Sequence, residues 1–393
     1  MRPAARLQSA IELVDQIILS ARDGGASADQ LAKRFFAERR YAGSKDRRAV
    51  RDLAWGAIRR FGKRPVTARS AFVAMADADP ELAALFDGTD YGPAAIEPGE
   101  ARSTGGGLPK WIKPLFSVHV DEAEQASLLD RAPMDLRVNA LKASRAEVSA
   151  VFPDAEVLPH LEYALRLPGG TAIDSHPVVE DGQVEIQDLG SQLIVEACQA
   201  KGLGTVLDLC AGAGGKTLAL AAAMRNQGRL IATDTNRNRL DQLKPRANRS
   251  GATNIETRLL NPGKEKEMLS EFIGGCDLVL IDAPCSGSGT WRRNPETRWR
   301  LDAARLKRVV DEQAKLLDIG ADMVVRGGYL VYAVCSLIES EGKGQVAAFL
   351  KSHSGWRAAD TGVSMGRADG DGVLLTPHHD GSDGFFFARL QKL

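Results

Sequence analysis

From about residue 187 onward the chain repeats one pattern: a short apolar run, a turn, then a longer helical stretch. The apolar runs are 205–209, 230–233, 277–281 and 329–333. Such runs fit buried strands, and strands alternating with helices imply a mostly parallel, doubly wound α/β sheet. In sheets of this kind ligands bind at the carboxyl ends of the strands. The chemistry of this chain is therefore expected where those four runs end.

The remaining chain supports other units, as 393 residues exceed what one compact core holds. Residues 1–90 read as helices. The clearest spans 45–61 behind a Ser44 N-cap, with Val50, Leu53, Ala54, Ala57, Ile58 and Phe61 on one face. Residues 91–108, closing in Ser103-Thr104-Gly105-Gly106-Gly107, read as a linker. Residues 109–185 read as a small α+β module. Within it, Leu136-Arg137-Val138-Asn139-Ala140-Leu141-Lys142 is a strand entering a turn and a helix. Residues 186–393 form the α/β domain.

Charge is distributed unevenly. Residues 1–70 hold 16 Lys and Arg against 7 Asp and Glu, and residues 71–100 hold 7 acids and no Lys or Arg. A basic block in a chain of zero formal net charge suits either a polyanion or an ordinary solvated face. No stretch approaches the roughly 20 apolar residues of a membrane span, and Glu12 and Asp15 interrupt any signal-peptide layout near the start. A cytoplasmic protein without a membrane partner is expected. The five cysteines include no C-x-x-C pair, so neither a metal site nor disulfide stapling is expected.

The first apolar run enters Asp208-Leu209-Cys210-Ala211-Gly212-Ala213-Gly214-Gly215-Lys216-Thr217. Glycines there let backbone N–H groups and a helix N-terminus approach a ligand. A P-loop needs glycine five residues before Gly215, where Cys210 stands. The dinucleotide fingerprint needs a third glycine at position 217, where Thr stands. The turn used for S-adenosylmethionine, D-x-G-x-G-x-G with licence at its first glycine, fits Asp208, Gly212 and Gly214. Asp234, 20 residues after Gly214 at the end of the next run, is placed to accept ribose hydroxyls.

The next two runs end in cysteine: Asp282-Ala283-Pro284-Cys285-Ser286-Gly287-Ser288-Gly289 and Val334-Cys335-Ser336-Leu337. Cys198 and Cys276 read as structural, and Cys210 as a backbone contributor to the turn. A thiol beside a methyl donor has a specific use. Carbon 5 of cytosine is a poor nucleophile until a thiolate adds to carbon 6, which splits one hard step into easier ones. The ring then needs a proton or strong hydrogen bond at N3, which Asp282 could supply. The residues alone leave open whether Cys285 or Cys335 is the nucleophile.

Together these stretches resemble the Sun-type (RsmB-like) family of RNA 5-methylcytosine methyltransferases, ribosomal-RNA branch. The resemblance extends to Arg293-Asn294-Pro295-Glu296, Glu339, Glu341-Gly342, Gln187-Asp188 with Ser191-Gln192, Arg137-Val138-Asn139 and the ending Ser382-Asp383-Gly384-Phe385-Phe386-Phe387-Ala388. Asp46-Arg47-Arg48 with Leu53-Ala54-Trp55-Gly56 is similar to the family's helical NusB-like domain. The resemblance implies a Rossmann-like class I methyltransferase domain, a small RNA-contacting module and an N-terminal helical domain. It implies Cys335 as nucleophile, Cys285 as the residue aiding product release, and Asp282 at both cofactor and cytosine. S-adenosylmethionine would be held by Cys210, Ala211, Gly212, Ala213, Gly214, Gly215, Lys216 and Asp234. Three positions depart from the family pattern: Gly212-Ala213 where Ala-Pro is usual, Val334 where Thr is usual, and Asn261 where an acid usually meets the adenine side.

RNA is the expected partner. Arg137, Asn139, Arg292 and Arg293 are the candidate contacts, with Trp291 and Trp299 as residues that either stack on an unpaired base or pack inward. Small-subunit ribosomal RNA is the expected substrate and a monomer the expected state. A transfer RNA substrate, a DNA cytosine methyltransferase, and a non-catalytic RNA-binding ribosome-assembly factor are the alternatives.

Overall fold

The computed structural model describes residues 1–169, 171, 173 and 175–393. The chain divides into two compact units. One comprises Met1–Phe116, Asp121–Asp130 and Ser286–Ala303; the other comprises Ser117–Val120, Arg131–Cys285 and Ala304–Leu393. Among the described residues no helix is long and apolar enough to cross a membrane.

The first unit is helical. Its helices Pro3–Asp23, Ala28–Glu38, Ser44–Arg60 and Ala68–Ala76 pack around Leu7, Val14, Ile17, Phe35, Val50, Ala54, Ile58 and Phe72. The helix expected from residue 45 starts at Ser44, and Gly43 is its N-cap. The Gly43 carbonyl accepts from the Arg47 N–H at 2.9 Å, so the helix opens one residue earlier than the Ser44 signal suggested. The expected linker is packed against these helices. Gly106 accepts from the Gly62 N–H (2.8 Å), Ser103 donates to the Ser70 carbonyl (2.9 Å), and Arg69 pairs with Glu100. Residues 286–303 also belong to this unit, a placement their position after the apolar run 277–281 of the α/β domain does not announce.

The second unit holds two sheets. In the smaller, β1 (Met134–Val138), β2 (Glu156–Val157), β3 (Ala164–Leu167) and β4 (Val184–Ile186) run antiparallel in the order β2-β3-β1-β4. These strands lie within the stretch expected as an α+β module, 109–185, or end one residue past it, while residues 109–116 and 121–130 of that stretch belong to the helical unit. The sheet is built into the larger domain by buried charge. Glu185, 5% exposed, pairs with Arg246 (2.7 Å) and Arg249 (2.9 Å).

The larger sheet comprises β5 (Thr205–Asp208), β6 (Arg229–Asp234), β7 (Ile255–Leu259), β8 (Cys276–Asp282), β9 (Val324–Val334), β10 (Trp356–Ala359), β11 (Arg367–Asp369), β12 (Gly372–Leu375) and β13 (Phe385–Lys392). The order is β11-β12-β13-β9-β8-β5-β6-β7, with β10 on β13. Strands β5 to β9 are parallel, and β13 returns antiparallel to β9. From β5 the chain builds outward through β6 and β7 on one side, then through β8 and β9 on the other. The order therefore reverses at β5, and that reversal point is where such sheets bind ligands. Four strands that neighbour one another end together there, at Asp208, Asp234, Asp282 and Val334.

Candidate active site

The turn after β5 is shaped by its glycines. Gly212 and Gly214 sit at φ of 56° and 89°, left-handed values that other residues adopt at a cost. A Cβ on Gly214 would also run into Leu243 Cδ1. The helix Gly215–Ala223 starts directly behind, so its unpaired N–H groups face the end of the sheet.

Asp234 braces this turn. One of its carboxylate oxygens accepts from the Gly212 N–H (2.8 Å), the other from the Asn236 N–H (2.7 Å). Each oxygen keeps a second lone pair for a ribose hydroxyl. Asp208 is fully buried at the end of β5. Its Oδ2 accepts from Thr217 Oγ1 at 2.7 Å, and among the described residues its Oδ1 has no hydrogen-bond partner. Burial first, with Asp282 and Asp234 adding, lifts its carboxyl to about 7. A buried acceptor without a donor, glycines that bring backbone N–H groups forward, and an acid at the β6 end suit a cationic nucleoside such as S-adenosylmethionine. Asn261 lies exposed just past β7, where Leu260 is bonded to the Asp234 carbonyl (2.9 Å), so it shares this rim.

The third acid is paired. Asp282 Oδ2 accepts from Lys216 Nζ at 2.7 Å. Burial works against the Lys216 ammonium, but the adjacent Asp282 carboxylate outweighs it and raises the group above its ordinary value. The glycine turn and the end of β8 are thus joined by a charge-assisted bond.

The two candidate cysteines meet. Cys285 Sγ and Cys335 Sγ are 3.2 Å apart. The strands explain the encounter: β8 and β9 are parallel, Asp282 lies beside Ala333, and the Ala283 N–H continues the ladder to the Ala333 carbonyl at 2.9 Å. The other thiols differ in setting. Burial pushes Cys198, Cys210 and Cys276 up, Cys276 to about 12, so they stay protonated and inert at neutral pH.

The RNA candidates are placed otherwise than expected. Arg137 and Asn139 are buried. Arg137 donates to Gln187 Oε1 (2.7 Å), and burial draws its guanidinium down to about 10. Asn139 donates to the Gly182 and Ser250 carbonyls (2.8 and 2.7 Å), which ties the module to the larger domain. Arg292 and Arg293 lie in the helical unit, where Arg292 is buried and Arg293 half-buried. Trp291 is buried against Phe116, and Trp299 donates to the Phe61 carbonyl at 2.7 Å. The tryptophans fill the core rather than offering faces to a base. Sequence reading passed over Gln313, which is buried and donates to the Pro284 carbonyl (2.9 Å) and to Glu341 (3.0 Å). Its signal was a polar residue on a stripe with Leu306, Leu317 and Gly320.

Comparison with known proteins identifies a family. Residues 197–391 match the family described as "16S rRNA methyltransferase RsmB/F". A probable ribosomal RNA small subunit methyltransferase B of Synechocystis sp. is 35% identical over 302 residues, covering 72% of this chain and 67% of that protein. The chain belongs to the RsmB/F methyltransferase family. A probable small subunit methyltransferase B of Bacillus subtilis is 33% identical over 270 residues, covering 65% of this chain and 59% of its own length. The crystal structure of PH0851 shares the fold, with a TM-score of 0.77 and 21% identity over 98% of this chain and 99% of that one. As an RsmB/F member the chain is an S-adenosylmethionine-dependent RNA methyltransferase, and the glycine turn falls inside the matched residues.

Proposed function

We propose that this enzyme methylates carbon 5 of a cytosine in small-subunit ribosomal RNA through a covalent bond between Cys335 and carbon 6. The observation that carries the reading is the 3.2 Å contact of two thiols at the ends of adjacent strands, beside the Lys216–Asp282 pair. One thiol at a strand end is explained by packing alone; two in contact at the ligand-binding edge suit an addition and an elimination on the same ring.

The residues divide the work as follows. Asp208, Asp234, Lys216 and the backbone from Cys210 to Gly215 hold S-adenosylmethionine, with Asn261 at its outer side. The cofactor supplies the electrophilic methyl group. Cys335 Sγ, as thiolate, adds to carbon 6 of a cytosine lifted out of its stack, which makes carbon 5 nucleophilic. Asp282 accepts from the exocyclic amine, and the Lys216 ammonium that it holds is the nearby donor for the charge developing at N3. Once carbon 5 carries the methyl group, its proton passes to Cys285 Sγ as thiolate, the carbon 5–carbon 6 double bond re-forms and Cys335 Sγ is expelled as thiolate. Cys285, in contact with the departing sulfur, assists that release.

The relatives are named for the small ribosomal subunit, which favours ribosomal over transfer RNA. One chain carries the turn, the acids and both thiols, which supports action as a monomer, and the ribosomal-RNA substrate supports a cytoplasmic enzyme. The test is methyl transfer from labelled S-adenosylmethionine to purified small-subunit RNA, transfer RNA and DNA. The reading expects label in 5-methylcytosine of the ribosomal RNA, lost with Cys335→Ala. Label only in transfer RNA or DNA, or full activity of Cys335→Ala, contradicts it.

A further inference from the structure

We infer that Gln313 and Glu341 form a buried clasp that sets the spacing of the two thiols, and that they are positioning residues for the reaction. Both are fully buried, as is Ser336. Gln313, on the helix Ala303–Met323, donates through Nε2 to the Pro284 carbonyl at 2.9 Å and to Glu341 Oε1 at 3.0 Å. The other Glu341 oxygen accepts from Ser336 Oγ at 2.5 Å, and that hydroxyl in turn accepts from the Ile338 N–H at 3.1 Å. The Glu341 carbonyl accepts from Tyr332 Oη at 2.7 Å.

These bonds have one geometric result. Pro284 immediately precedes Cys285, and Ser336 immediately follows Cys335. The Gln313–Glu341 bond is therefore a bridge between the backbone of one cysteine and the side chain beside the other. Tyr332 anchors the same bridge to β9, three residues before Cys335. Strand pairing fixes Asp282 beside Ala333, but the ladder ends at Ala283. Past that point the clasp takes over the register. A buried carboxylate and amide are costly to keep. Gln313 nevertheless stands on a helix stripe with the apolar Leu306 and Leu317, and its Oε1 has no hydrogen-bond partner among the described residues, so packing alone does not account for its place. Misplacing reacting groups by about 1 Å costs on the order of a hundredfold in rate, so a bridge at this position has kinetic consequences.

The inference rests on the cysteine reading for its catalytic meaning, and the experiment separates the two. Spacing is read without RNA or cofactor, by oxidising the intact protein with diamide. Each Cys285–Cys335 disulfide formed releases two protons and two electrons, which reduce the diazene to its hydrazine. Thiols 3.2 Å apart need to close by about 1 Å to reach bonding distance. The rate is followed by peptide mapping, with thermal melting as the control for folding. Gln313→Met keeps the volume and removes the donors; Glu341→Gln disturbs the same bridge from the other side and replaces it if the first variant fails to fold. The clasp predicts disulfide formation at least about tenfold slower in the variants, and a kcat for methyl transfer reduced with KM for RNA unchanged. A disulfide rate equal to that of the unaltered protein overturns the clasp, whatever the methyl-transfer result. Slower disulfide formation with no loss of activity in Cys335→Ala would instead leave the clasp standing and remove the cysteine reading.

Discussion

Lys216 Nζ lies 2.7 Å from Asp282 Oδ2, so the helix that follows the glycine turn is bonded to the end of the neighbouring strand β8. The pair links the glycine turn to the end of β8, and its ammonium is largely shielded, with the Lys216 side chain 10% exposed. Replacing Lys216 by Met removes the donor and leaves the carboxylate in its place. We expect kcat to fall on the order of a hundredfold, as for loss of a proton donor, with the melting temperature little changed. Steady-state methyl transfer decides it; a loss under about threefold would assign the pair to structure alone.

Asp208 gives stability a pH slope. Its carboxyl titrates near 7 in the folded chain because burial disfavours the charge, against about 4 when unfolded. Between those values the folded state holds a proton that the unfolded state has lost. This contribution is therefore complete below about pH 4, declines as pH rises, and is gone above about 7, a difference on the order of 4 kcal/mol. Asp208→Asn is neutral throughout. The stability of the unaltered protein relative to this variant should fall between pH 5 and 7 and level off above. Parallel denaturation profiles for the two proteins would contradict the burial argument.

Arg298 is a staple of the helical unit. It is 1% exposed and donates to the carbonyls of Ile58 (2.6 Å) and Arg59 (2.8 Å) at the end of the helix Ser44–Arg60. Bonds from a charged donor contribute about 1.5–3 kcal/mol each. Arg298→Ala should destabilise the protein by about 3 kcal/mol, measured by urea denaturation. A change below about 1 kcal/mol would mean that the other contacts of the segment Ser286–Ala303, such as Arg300 on the Gly25 and Ala26 carbonyls and Trp299 on the Phe61 carbonyl, hold it without Arg298.

Gly214→Ala should damage the turn twice over. The backbone sits at φ 89°, and the new methyl group would meet Leu243 Cδ1. We expect destabilisation of about 1–3 kcal/mol and at least tenfold weaker S-adenosylmethionine binding by calorimetry. Unaltered affinity would show that the turn does not hold the cofactor.

Much of the α/β domain was legible because its signals are local. Short apolar runs, left-handed glycines and acids at strand ends each follow from backbone geometry, and the four expected strands appear with their ends shifted by a few residues at most. β9 is the largest shift, starting at Val324 rather than 329. The pairing of Cys285 with Cys335 was half legible: each sits at a strand end, but only the adjacency of β8 and β9 brings them together. Residues whose partners are far away in sequence were not placed by their composition. Arg137 and Asn139 look like surface contacts for a polyanion, yet both are buried, with Arg137 Nε on Gln187 and Asn139 Nδ2 on the Gly182 and Ser250 carbonyls. Arg292, Trp291 and Trp299 likewise resemble a nucleic-acid patch, yet they pack into the helical unit. Composition reports what a side chain can do, while burial decides what it does.

The central claim is that Cys335 bonds to the base and Cys285 frees it. Incubating the Cys285→Ala variant with S-adenosylmethionine and small-subunit RNA, then running a denaturing gel, tests both halves. The account predicts a protein–RNA adduct that survives denaturation and disappears when Cys335→Ala is added. An adduct formed by Cys335→Ala with Cys285 intact would reverse the roles, and no adduct in any variant would contradict the covalent mechanism.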